Sequence, residues 1–214
     1  MLIVVVYLEK HYNVIKNDSV FEETEKRSKF ISYSFKVENE FSVKEKLKSI
    51  KSLHHSAKHH VYAYTLLSSE KSSDDGEPSG TAGLPILNVI KNNNLKNIIV
   101  IIVRYFGGIL LGTPGLRRMY SSGAEGVIKN SGIVKLCICS NIMVSCSYKD
   151  IGSILNLISE FKGKIDKIDY LDIVVVKFYI QKNYEFEIIK KLENIIRNKE
   201  SIKILSESYQ EVDA

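Results

Sequence analysis

Residues 97–114 read Asn97-Ile98-Ile99-Val100-Ile101-Ile102-Val103-Arg104-Tyr105-Phe106-Gly107-Gly108-Ile109-Leu110-Leu111-Gly112-Thr113-Pro114. The first nine are almost continuously apolar, the pattern of a strand buried on both faces. Glycines at 107, 108 and 112 then break the run. Thr113 is a good N-cap and Pro114 a good first helical residue, so a helix is predicted to start there and to end near Asn130-Ser131-Gly132. A central strand feeding a helix through a glycine loop makes this stretch the middle of an α/β layer.

Upstream, Ile31, Tyr33, Phe35 and Val37 alternate with polar residues and predict a half-buried strand over 30–37. The period then changes: Phe41, Val43, Leu47, Ile50 and Leu53 recur at helical spacings over 40–53. A strand from Val61 to Leu67 follows, then a polar loop to about Gly80, then a helix over 84–90 with Pro85 in its first turn. Downstream the order is strand 137–147, helix 150–161 closed by Gly163, strands 164–170 and 172–181, helix 184–197 and strand 202–209. That βαββαβ order is the ferredoxin-like arrangement. The expected class is therefore α/β (α+β) with two domains, 1–134 and 135–214, joined near Ile133–Leu136 without a long linker.

A chain of 214 residues with 44% hydrophobic and 26% charged content can bury a core and is not a disordered segment. The run Leu2-Ile3-Val4-Val5-Val6-Tyr7-Leu8 has no basic stretch before it and is too short to span a bilayer, so it is read as a strand or an extension rather than a signal. Cys137, Cys139 and Cys146 read as reduced thiols on strands, which suits a cytoplasmic protein with no membrane association. Net charge is +5; residues 1–134 carry 18 Lys and Arg against 13 Asp and Glu, and residues 135–214 carry 12 against 12. An anionic partner is expected on the first domain.

Ser73-Asp74-Asp75-Gly76-Glu77-Pro78-Ser79-Gly80-Thr81-Ala82-Gly83 joins acids, hydroxyls and glycines without an apolar anchor, and must be a shaped loop. Together with His54-His55-Ser56-Ala57-Lys58-His59, Tyr62-Ala63-Tyr64 and Val103 to Gly112, it resembles the signature set of the YigZ/IMPACT family over residues of about 25 to 130. The resemblance implies a first domain like the second domain of ribosomal protein S5, with helices covering one face of a sheet. It also implies a second domain similar to the last domain of elongation factor G. Eukaryotic members of that family act in translation control by competing for the activator of an initiation-factor kinase, which implies a translational role. The sequence departs from the common bacterial pattern at Leu84, where Lys is frequent, and at Pro114, where Gly is frequent.

Two chemistries suit these motifs. Gly107, Gly108 and Gly112 before a helix start make anion-site geometry, to which Arg104, Arg117 and Arg118 would add charge. RNA or a ribosomal surface is the expected partner, with a protein partner as the alternative. In an enzyme reading, a hydrolase for example, His54, His59, Asp74, Asp75 and Glu77 would line one cleft. The bland alternatives are solvated arginines, a histidine bonded to backbone carbonyls, and acids that cap turns or pair with the arginines. No Walker loop, Gly-x-Ser-x-Gly elbow, calcium loop or zinc spacing is present, so neither cofactor nor metal is expected.

Overall fold

The protein is described by a computed structural model over residues 11–196 and 199–211, so the apolar run at residues 2–8 lies outside the described residues. The chain divides into two compact units, Tyr12–Lys135 and one built from Leu136 onward.

The first unit contains β1 (His11–Ile15), β2 (Ser19–Glu25), β3 (Ser28–Lys36), α1 (Glu40–Leu53), β4 (His59–Thr65), β5 (Glu70–Ser73), α2 (Gly83–Asn92), β6 (Ile98–Tyr105) and α3 (Gly112–Ser131). Five strands form one sheet in the order β2-β3-β6-β4-β5, every neighbouring pair antiparallel. β6 is the middle strand. Its Ile98, Val100 and Ile102 enter the core shared with α2 and α3, while Ile99, Ile101 and Val103 enter the core shared with α1. All six have 0% exposure, and each contributes about 1.5–3 kcal/mol of burial.

Helices therefore cover both faces of this sheet, not one. α1 is the reason: Asn39 and Ser42 close a capping box at its start, and Val43 and Ile50 turn into the second core. Phe41 and Leu53, which share its apolar spacing, stay outside at 73% and 64% exposure. The polar loop after β4 also holds a strand that its composition does not signal, since Glu70–Ser73 pairs with β4. The same is true of β2, whose Glu22, Glu23 and Glu25 fall on both faces of the strand. α3 begins earlier than predicted. Leu111 occupies the N-cap position with no side-chain bond, and Gly112 takes φ 70, so Thr113 does not cap the helix.

The second unit runs β7 (Ile133–Cys146), α4 (Ile151–Glu160), β8 (Lys164–Tyr170), β9 (Val174–Gln181), α5 (Glu185–Ile196) and β10 (Ile202–Glu211). β10, β7, β9 and β8 lie side by side in that order, all antiparallel, and α4 and α5 share one core with β7 and β9. This is the ferredoxin-like arrangement. The three cysteines all lie on β7 as free thiols, and burial pushes the Cys139 thiol up to about 11. No helix among the described residues is long and apolar enough to cross a membrane.

Candidate functional site

Strand alternation sets the floor of a cleft in the first unit. Arg104 shares the parity of Ile98, Val100 and Ile102, so its side chain follows theirs onto the face covered by α2 and α3. Its register partners are Phe30 on β3 and His59 on β4. The guanidinium lies 5.5 Å from the ring centres of both Phe30 and Phe106. Its Nη1 donates to Glu77 Oε1 at 2.7 Å, and the Tyr120 hydroxyl donates to the same oxygen at 2.8 Å. Glu77 and Arg104 side chains are only 3% and 7% exposed. Arg104 Nε has no hydrogen-bond partner among the described residues. Burial, then the neighbouring Glu77 carboxylate, push the Tyr120 phenol far above its ordinary value, so it stays protonated and remains a donor.

Above this floor opens a cavity of about 350 Å³, with Lys58, His59, Phe106, Leu110, Gly112 and Thr113 among its lining residues. His59 Nδ1 lies 2.8 Å from the Asp75 carbonyl oxygen. A carbonyl only accepts, so Nδ1 is the donor in this bond. The first turn of α3, without a side-chain cap, forms part of the same wall.

The loop before α2 is shaped by its acids. Asp75 and Gly76, with φ 42 and 88, are the centre of a turn closed by the Glu77 N–H on the Asp74 carbonyl at 3.0 Å. Asp74 accepts from the backbone N–H groups of Gly80, Ala82 and Gly83 at 2.8, 3.0 and 2.8 Å, acting as a distant cap for α2. Asp75 Oδ2 accepts from the His60 N–H at 2.7 Å. The three acids thus face three ways, and Glu77 alone lines the cleft.

Several expected groupings dissolve. His54 does not join His59: its ring nitrogens lie 2.7 and 2.8 Å from the hydroxyls of Tyr33 and Tyr105, which pack against the α1 side of the sheet. Burial holds its pKa below the ordinary value. Arg117 lines a separate groove with Asn88, Ser121 and Glu125, and Arg118 pairs with Glu25 at 2.9 Å, so neither enters the cleft with Arg104. Helix phase separates them, because consecutive residues point about 100° apart. Gly107 serves packing: a Cβ there would stand 2.1 Å from the Arg27 backbone in the β2–β3 turn. Gly108, at φ 84, is needed for its conformation, with open space around it. Among the described residues no three His, Cys, Asp or Glu side chains are grouped to hold a metal ion.

Tyr120 and Phe30 belong to the floor of the cleft although no motif marks them. The signal for Tyr120 is its place between Leu116 and Ala124 on the buried stripe of α3, since a buried tyrosine hydroxyl requires a partner.

A family described as "Impact N-terminal domain" matches residues 26–128, and a "Domain of unknown function (DUF1949)" matches residues 144–199. The IMPACT family member YvyE of Bacillus subtilis is 33% identical over 79% of this chain and 80% of its own length. The IMPACT family member YigZ of Escherichia coli is 31% identical over 71% of this chain and 77% of its own. A crystal structure of a protein described only as hypothetical is 26% identical with a TM-score of 0.59, covering 97% of this chain and 98% of that one. With both domains matched in order and two relatives above 30% identity matched over more than three quarters of their length, this chain belongs to the YigZ/IMPACT family.

Proposed function

We propose that this chain regulates translation in the cytoplasm by binding rather than by chemistry, its first unit holding an anionic partner, RNA or an RNA-bearing ribosomal surface. The observation that carries the reading is the charge balance of the cleft. Glu77 and Arg104 in its wall offset each other as an ion pair, which leaves Lys58 and the uncapped first turn of α3 as the net positive features. Free N–H groups at a helix start attract anions, and the apolar walls from Phe106, Leu110 and Leu111 suit the flat body of a nucleotide. The excess of positive charge in residues 1–134 supports the same assignment. The translational setting rests on the resemblance to the eukaryotic members of the family.

The test is a titration of the full chain and its Lys58→Gln variant with single-stranded RNA and with orthophosphate. RNA binding should weaken in the variant, and removal of one lysine–phosphate pair should flatten the dependence of log affinity on log salt by ~0.7. Binding of orthophosphate without RNA would make the cleft a small-anion site. Binding of neither would end the reading.

A further inference from the structure

α1 carries a face that the core does not use. Phe41, Lys44, Lys48 and Lys51 recur at intervals of three, four and three residues, the spacing that keeps side chains on one side of a helix. All four are exposed, as is His55 just beyond the helix end. With Leu47 and with Tyr62 of the neighbouring strand, the lysines and His55 bound an open groove of about 620 Å³. From Lys44 to Lys51 the helix rises about 10 Å.

This face places like charges close together. Lys44 and Lys48 stand four residues apart and repel. Neither has an ion-pair partner among the described residues, and Lys51 meets only Asp75, at 3.5 Å. Phe41, at the head of the row, is 73% exposed. A row of cations beside one exposed ring, Phe41, and one half-buried ring, Tyr62, suits a flexible polyanion with flat apolar faces. Proteins that hold single strands combine a positive groove along the backbone with aromatic side chains under the bases. A duplex would keep its bases stacked on one another and leave the rings unused.

We propose that the α1 face is a track for single-stranded RNA, with phosphates on Lys44, Lys48 and Lys51 and bases against Phe41 and Tyr62. One residue links this face to the cleft on the other side of the sheet: Asp75, the partner of Lys51, offers its carbonyl to His59 in the cleft wall. The inference rests on the RNA reading of the first unit and adds the surface that carries it.

The experiment is a fluorescence titration of labelled oligouridylate into the full chain across a salt series, with Lys44→Gln plus Lys48→Gln, Phe41→Ala and Arg117→Ala plus Arg118→Ala as variants. Removal of two lysine–phosphate pairs should flatten the salt slope by ~1.4, and removal of one stacking ring should weaken binding about fivefold or more. The arginine pair, which lies outside both the track and the cleft, should leave the slope unchanged. If RNA binds the native chain and weakens with Lys58→Gln while the lysine pair changes nothing, the α1 track is wrong and the cleft reading stands. Failure of the native chain to bind would remove both. Competition by polyglutamate as strong as by oligouridylate, with Phe41→Ala silent, would make this face a dock for an acidic protein and also overturn the proposal.

Discussion

The two units handle charge in opposite ways. The first buries a carboxylate and a guanidinium beside a cavity, where Glu77 joins Arg104 and Tyr120. The second keeps its ion pairs at the rim: Lys182, 38% exposed, bridges Glu185 and Glu207 at 2.6 and 2.8 Å, and Glu185 also accepts from the Ser140 hydroxyl. A buried pair seldom adds net stability over an apolar replacement, because two ions must be desolvated. A fold that keeps one next to a cleft is using it to hold donors in fixed directions. The rim cluster needs no such explanation, since exposed pairs form readily and contribute little.

The contrast is broken most directly at Glu77. Glu77→Ala leaves Arg104 charged and unpaired in the core and should lower stability to urea by about 3–5 kcal/mol. A decrease under about 1 kcal/mol, the size seen for exposed pairs, would mean that water already reaches the pair. Tyr120→Phe removes one donor from the same carboxylate and should cost about 1–3 kcal/mol by the same measurement. Lys182→Ala in the second unit should fall within about 1 kcal/mol of the native chain and fade with added salt. A larger effect would place that cluster with the buried one.

The smallest effect is a slope. Burial holds the His54 imidazole below its ordinary pKa of 6.5, so the folded chain binds fewer protons there than the unfolded chain does. Stability from this group is full above pH 6.5 and is lost as pH falls below it toward the folded value. His54→Gln should therefore flatten the decline of melting temperature on acidification through that range. An unchanged slope would assign the acid sensitivity to other groups.

Most of the element order is legible in the sequence because its signals are local. The period change at residue 40, the apolar run of β6 and the βαββαβ order of the second unit are all short-range patterns. β2 escapes such reading because it is an edge strand with Glu22, Glu23 and Glu25, which blunt the edge but hide the alternation. The cleft is half legible. His59, Glu77 and Arg104 stand in motifs, but their grouping depends on which sheet face each side chain takes. His54 and His59 are neighbours in sequence, and the sheet separates their rings because one lies just past a helix end and the other on a strand. The expectation for Arg117 fails for a related reason. Counting the turn from Pro114 fixes neither the true helix start nor the phase that turns Arg117 toward Ser121 and Glu125.

The position of β6 bears on how the first unit is made. β2–β3 and β4–β5 are hairpins that never pair with each other, and each joins the sheet through its inner strand on β6 alone. β6 begins at Ile98, after both hairpins have been synthesised. Until it leaves the ribosome, β3 and β4 each present an open edge whose natural partner does not yet exist, and open edges recruit other chains. The long sequence separation of β3 from β6 also slows closure relative to a helical protein of the same size. Growth of the chain past Tyr105 is thus the step that turns two separate, adhesive hairpins into one continuous five-stranded sheet.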